Sequence, residues 1–200
     1  MMKRLFFNIM LLGIMMLSMT NVLAGGNIAD AEALIKKSTS KVLDALQADS
    51  SKIHALVDKV VLPNFDFHKM SALVLSKHWK KATATQKTAF ATEFRHLLVR
   101  TYSTALVEVA QKINKDDIKY SSKPKSKGRC QISTNVKNAS TSIKVDYAMY
   151  YKKGKWKVYN VIVEGVSLVT NYRDEFSQDV RKKGMDGLIA KIKNKNKSGK

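Results

Sequence analysis

An α+β domain is the fold the sequence predicts, with N-terminal helices, a four-stranded antiparallel sheet and C-terminal helices in that order. The hydrophobic period carries this reading. Apolar residues recur at spacings of three and four from Ile28 to Val109, at a spacing of two from Ile118 to Val163, and at helical spacing again from Val166 to Ile192. No internal repeat and no long linker interrupts the order, so residues 25–190 are expected to form a single domain.

Asn27 is placed to cap a first helix reaching about Gln47, with Ile28, Leu34, Ile35, Val42 and Leu46 on one stripe. A second, short helix carries Ile53, Leu56, Val57, Val60 and Val61, and Pro63 stops it because the residue before a proline is pushed out of the helical region. Asp66 can cap a further turn or two holding Phe67, Met70, Leu73 and Val74. The strongest helical pattern follows Thr83, which forms a capping box with Gln86. Its long apolar face runs through Phe90, Phe94, Leu97, Leu98, Tyr102, Ala105, Leu106 and Val109.

After Asn114 the pattern becomes that of strands. Ile118 and Tyr120 open the first, Cys130, Ile132, Thr134 and Val136 alternate with polar residues in the second, and Ile143 to Tyr151 form the third. Lys153-Gly154 makes a two-residue hairpin into the fourth. Counting back from that turn pairs Tyr151 with Trp156, Met149 with Val158 and Val145 with Ile162 on one face. Tyr150 with Lys157 and Ala148 with Tyr159 then fall on the other, together with Val161 and Val163. Both faces are thus expected to be partly apolar, one packing on the long helix and the other covered by Val166, Leu168 and Val169. Gly184 should end the following helix, and Leu188, Ile189 and Ile192 belong to a last short one.

The N-terminus reads as an export signal over residues 1–24: Lys3 and Arg4, an apolar run from Leu5 to Leu17, and Val22 and Ala24 at the small-residue positions before a cut that leaves Gly25 first. No later stretch approaches the length of a membrane span. With Cys130 the only cysteine, an exported chain cannot close an internal disulfide and must be held by packing. Lys and Arg number 36 against 16 Asp and Glu, a formal charge of +20 that falls by two once the signal is removed. The excess is spread lysine, with five in residues 191–200, read as a basic flexible tail. Such charge favours anionic surfaces, and export argues against nucleic acid.

Catalytic constellations are missing from the sequence. The histidines His54, His68, His78 and His96 have no zinc-ligand spacing, and there is no GxSxG elbow, P-loop or GxGxxG. Asp66 with His68 is the nearest thing to an acid-base pair, and a helix cap beside a surface imidazole accounts for both. The reading is therefore of a protein that is not an enzyme and holds neither metal nor cofactor.

Two motif runs are specific enough to carry a resemblance. The first comprises Pro63, Phe65, Asp66, Phe67, Met70, Leu73, Val74, Leu75, His78 and Trp79. The second is Gly154 to Arg173, preceded by Phe90, Phe94, Thr101 and Tyr102 and followed by Gly184, Asp186, Gly187, Leu188 and Ile189. Together they resemble the MlaC, or toluene-tolerance, family of periplasmic phospholipid-binding proteins over nearly the whole mature chain. The chain departs from the family at Ser76, where many members have Gly, and at Asn160, where they have Asp.

The resemblance implies a monomeric carrier in the periplasm of a Gram-negative bacterium. Its cargo would be a diacyl phospholipid, moved between an inner-membrane ABC-transporter complex and an outer-membrane lipoprotein-porin complex to maintain outer-membrane lipid asymmetry. The acyl chains would lie between helices and sheet, in an NTF2-like general shape. Candidate lining residues are Phe65, Phe67, Val74, Leu98, Tyr102, Leu106, Val109, Tyr147, Tyr159, Val161, Val163, Val166 and Val169. A lysine-rich rim near the headgroup would read charge rather than headgroup type. The competing reading is an exported NTF2-like binding module for another small apolar ligand, or a protein adaptor.

Overall fold

A computed structural model of the chain describes residues 26–139 and 142–198; the expected signal and its cut at Gly25 lie outside the described residues. Helix α1, Ile28–Ala48, starts where Asn27 Oδ1 accepts from the Ala29 amide at 3.0 Å. The next segment is a chain of short pieces: α2, Ile53–Leu56, widens into a π turn over Val57–Val61, and a 3-10 turn, Leu62–Asn64, carries Pro63 at its start. Asp66 caps α3, Phe67–Leu75, and α4, Lys77–Lys81, follows directly. The capping box of Thr83 and Gln86 closes with both bonds at 3.1 Å and opens α5, Ala84–Ala110.

Strands β1, Ile118–Ser126, β2, Arg129–Lys137, β3, Ser142–Lys152, and β4, Lys155–Val163, form an antiparallel meander. A two-residue β5, Val166–Ser167, adds a fifth member to the expected four. The β3–β4 turn has positive φ at Lys153 (48°) and Gly154 (78°), the twist-matched geometry a two-residue hairpin needs.

One expectation about the sheet is overturned. Met149 still faces Val158, but two residues, Tyr159 and Asn160, then oppose Ala148, and beyond that bulge Tyr147 pairs with Val161 and Val145 with Val163. A one-residue slip moves every later side chain to the other face. Val161 and Val163 therefore join Trp156 and Val158 on the face of Met149 and Tyr147. The opposite face keeps Ala148, Tyr150 and Ile162, half-buried, and is otherwise polar, with Lys119, Lys123, Arg129, Lys137 and Lys144 all exposed. The bulge has a local purpose: Asn160 Oδ1 accepts from the Val169 amide at 3.2 Å and its Nδ2 donates to Ser167 Oγ at 2.9 Å, which fixes the start of the last helix.

That helix, α6, spans Leu168–Ser198 with a kink at Gly184, whose φ of 69° breaks the helical run where the glycine was expected to end it. The second half is not a loose tail from residue 191. Ile192 is buried, Lys191 Nζ meets Asp179 at 2.7 Å and Glu175 at 3.5 Å, and Asn196 Nδ2 donates to the Glu93 carbonyl at 3.0 Å. An amphipathic stripe of Leu188 and Ile192 continues through the lysines and holds them in helix.

Candidate binding cavity

Burial is divided among three clusters. Met70, Val74, Leu75, Phe90, Phe94, Leu97, Leu98, Leu168, Val169, Tyr172, Phe176, Leu188 and Ile192 join α3, α5 and α6. Val42, Leu43, Leu46, Ile53, Val57, Ala110, Ile113, Ile118 and Val136 join α1 and α2 to the far end of α5 and the first strands. Ala31, Ile35, Cys130, Ile132, Met149, Trp156 and Val158 seal the hairpin end of the sheet under α1, where Trp156 Nε1 donates to the Asn27 carbonyl at 2.9 Å. Burial pushes the Cys130 thiol up to about 11, which leaves it an inert small hydrophobe.

A close-packed domain of this size ordinarily has one contiguous core. Here the long helix α5 packs chiefly on α3 and α6, and only its far end, at Ala110, joins Ile118 and Val136 of the sheet. Several apolar side chains on the two sides are only half-buried: Val60, Val61, Leu62, Val99, Leu106 and Val109 on the helical side, and Phe65, Tyr147, Tyr159, Val161 and Val163 on the sheet side. Tyr147 is among them, half-buried, and burial raises its phenol pKa against a smaller opposing effect of Thr134.

Two recesses lie on the surface near Phe65 and Phe67. One of about 410 Å³ is lined by Asp58, Leu62, Pro63, Phe67 and Arg95. The other, of about 300 Å³, lies at the hairpin tip among Phe65, Asp66, Lys152, Lys153, Lys155 and Lys157. Asp66 anchors the second. Its Oδ1 accepts from the Lys69 amide at 2.8 Å, its Oδ2 accepts from the Tyr150 hydroxyl and from Lys152 Nζ at 3.1 Å, and the Lys69 ammonium lies 3.4 Å from the Tyr150 ring centre. Burial alone would raise the Asp66 carboxyl, but the Tyr150, Lys69 and Lys152 bonds outweigh it and hold the pKa below the ordinary value. His68 points elsewhere, exposed and edge-on to Trp79 at 4.8 Å, so it forms no acid-base pair with Asp66.

The thirteen residues singled out in the sequence fall into three groups. Phe65, Phe67, Leu106, Val109, Tyr147, Tyr159, Val161 and Val163 are half-buried. Val74, Leu98 and Val169 are closed inside the α3–α5–α6 cluster. Val166 and Tyr102 are at the surface, 58% and 37% exposed, Val166 on the short edge strand beside Val163. Sequence reasoning missed Val60, Val61, Leu62, Val99 and the polar pair Asp58 and Arg95. Val99 and Leu106 follow Arg95 on one helical stripe of α5, a signal that was readable.

Helices wrapped around one apolar sheet face, with half-buried apolar side chains left between, is the architecture of a small-ligand binding protein. The model of the family described as "MlaC protein" matches residues 36–194, and the chain belongs to that family. It is 24% identical over 172 residues to the intermembrane phospholipid transport system binding protein MlaC of Haemophilus influenzae, covering 80% of this chain and 78% of the relative. It is 25% identical over 163 residues to the toluene tolerance protein ttg2D of Pseudomonas putida, covering 76% and 74%. A phospholipid-binding protein from Ralstonia solanacearum, solved in complex with a phospholipid, superposes with a TM-score of 0.72 at 25% identity, over 84% of this chain and 98% of that one. Among the described residues there is no group of three metal-ligating side chains, and no helix long and apolar enough to cross a membrane.

Proposed function

We propose that the protein is a periplasmic carrier that holds the acyl chains of one diacyl phospholipid between α5 and the apolar sheet face. It would shuttle that lipid between an inner-membrane ABC-transporter complex and an outer-membrane lipoprotein-porin complex, and so maintain outer-membrane lipid asymmetry. The observation that carries the reading is the set of half-buried apolar side chains shared by α5 and the apolar sheet face, Leu106, Val109, Tyr147, Val161 and Val163 among them. The phospholipid-bound Ralstonia structure and the name of the Haemophilus relative support it. Half-buried apolar surface in a folded domain is costly to leave wet, and an acyl chain is the ligand whose shape and chemistry fit a long gap between a helix and a sheet.

Energy constrains how such a carrier works. Two acyl chains hold roughly 30 methylenes at about 0.8 kcal/mol each, on the order of 24 kcal/mol to expose to water, beyond the ceiling of non-covalent affinity. Lipid therefore exchanges at a docked partner, where one apolar environment replaces another, and does not escape through water. The role requires no bond making or breaking and uses no cofactor; the phospholipid is cargo to a monomeric protein.

Organic extraction of the purified mature protein followed by mass spectrometry tests the reading. About one phospholipid per chain is the expected result. Empty protein, or a different small apolar molecule, overturns it in favour of an exported binding module of another kind.

A further inference from the structure

The sheet is charged unevenly along its strands. The β1–β2 and β3–β4 turns lie at the same end of the meander, and the Tyr151 amide donates to the Gly128 carbonyl at 2.8 Å, which holds one tip against the other. Lys125, Lys127 and Arg129 of the first tip and Lys152, Lys153 and Lys155 of the second are all exposed. Neither hairpin carries an acid, from Ile118 to Arg129 or from Tyr147 to Val163. Asp116, Asp117, Asp146 and Glu164 fall toward the opposite end of the strands. Asp66, which lies against the second tip, is taken up by Tyr150, the Lys69 amide and Lys152. Among the described residues no ion pair engages Lys125, Lys127, Arg129, Lys153 or Lys155. Their repulsion reaches Lys69, whose ammonium pKa is lowered by burial first and further by Arg129 and Lys152, against Asp66. Protection of an open edge accounts for lysines on β1, but it does not call for Lys152 and Lys155 directly opposite each other across β3 and β4, a like-charge pair that costs stability.

We infer that the two tips together form a docking surface for an anionic lipid bilayer, with their lysines set among the headgroup phosphates. This goes beyond the carrier reading, which concerns the lipid held inside and names no membrane contact. Five of the six cations are lysine. A lysine ammonium is a hydrated point charge on a flexible stem, suited to a phosphate layer of no fixed pattern, whereas the planar fork of arginine is the better match to carboxylates on an acidic protein. The rest of the polar face, with Lys119, Lys137 and Lys144, adds long-range attraction that speeds approach, and the tips make the contact.

The test is co-sedimentation of the purified mature protein with vesicles at physiological salt, either phosphatidylcholine alone or phosphatidylcholine and phosphatidylglycerol in equal parts. Binding is expected on the mixed vesicles only. A lysine beside an anionic bilayer is worth about fivefold in affinity, so Lys125→Gln with Lys127→Gln should weaken binding about twentyfold, and so should Lys153→Asn with Lys155→Gln. Arginine at the same four positions should keep wild-type binding, which separates lost charge from lost fold. Lys193→Gln with Lys195→Gln, an equal loss of charge on α6, should leave binding within about twofold, because exposed charges away from the contact are screened. Phospholipid extracted from each variant in parallel should be unchanged, so a failure of docking and a failure of the carrier reading are told apart. Full binding by the tip variants, or an equal loss in the α6 variant, overturns the docking surface and makes net charge the cause. Protein that sediments with neither vesicle overturns the bilayer as partner and leaves the tips to an acidic protein.

Discussion

Ser76 and Asp66 show how single residues fix the entry to the helical layer. Ser76 joins α3 to α4 with φ 49° and ψ −117°, a conformation that suits glycine and strains any residue with a Cβ. A glycine would adopt this conformation without strain. Ser76→Gly should stabilise the protein by about 1 kcal/mol, which for a chain of this length raises Tm by about 2–4 °C in a thermal melt. An unchanged or lower Tm would mean that the strain is relieved by other means. Asp66 makes the opposite case, a residue whose charge is wanted. Its carboxyl has the ordinary value of 3.8 when unfolded and a lower one when folded, so its contribution to stability is complete above 3.8 and is lost as pH falls through the folded value. Asp66→Asn keeps a good cap but loses the charge-assisted bonds from Tyr150 and Lys152, and should cost about 1 kcal/mol at neutral pH. Denaturant midpoints of the two proteins should draw together as pH falls below about 4 and meet below the folded pKa of Asp66; a gap that persists below that value would show that the hydrogen-bond geometry matters and the charge does not.

At the scale of elements, α5 is two helices in one. Leu98 lies in the closed cluster with α3 and α6, whereas Leu106, two turns on, is half-buried at the margin of the cluster that Ala110 shares with Ile118 and Val136. Leu98→Trp should overpack a filled core and lose about 1–3 kcal/mol, while Leu106→Trp should keep its Tm and lose bound phospholipid. Melts and lipid extraction on both variants give that contrast, and a Leu106→Trp protein that melts early with its lipid retained would make the face ordinary core. The same contrast marks what was legible in the sequence. Asn27, Asp66, Thr83 and the Lys153-Gly154 turn announced their elements because caps and turns are decided within a few residues. The bulge at Tyr159 was not legible, since it is fixed by the reach of Asn160 to the start of α6. Apolarity marked Val74, Leu98 and Val169 as readily as Phe65 and Tyr147, and only their packing in three dimensions separates the buried from the half-buried. Asp58 and Arg95 were invisible among many charges until the π turn and α5 brought them to one recess.

At the scale of the whole molecule, the two faces of the sheet divide the labour. The apolar face meets the helices, and the polar face presents Lys119, Lys123, Arg129, Lys137 and Lys144 to solvent. Asp146 is the acid on that face, and it is engaged by Ser133 and Lys144. On the proposed carrier role, a broad basic surface on the face turned away from the helices is suited to meet anionic membranes or acidic docking surfaces. Exposed charges are screened within about 8 Å at physiological salt and about 3 Å at 1 M, whereas apolar burial is not weakened by screening. Raising salt should therefore slow delivery of a fluorescent phospholipid to anionic vesicles by about tenfold or more, in line with electrostatic steering of association, while the protein's own lipid stays bound. Reversing charge on the sheet alone, with Lys119→Glu and Lys137→Glu together, should reproduce the slowing at low salt and flatten the salt dependence. Transfer that ignores both salt and these substitutions would assign the lysines to solubility and leave delivery to shape-specific contacts.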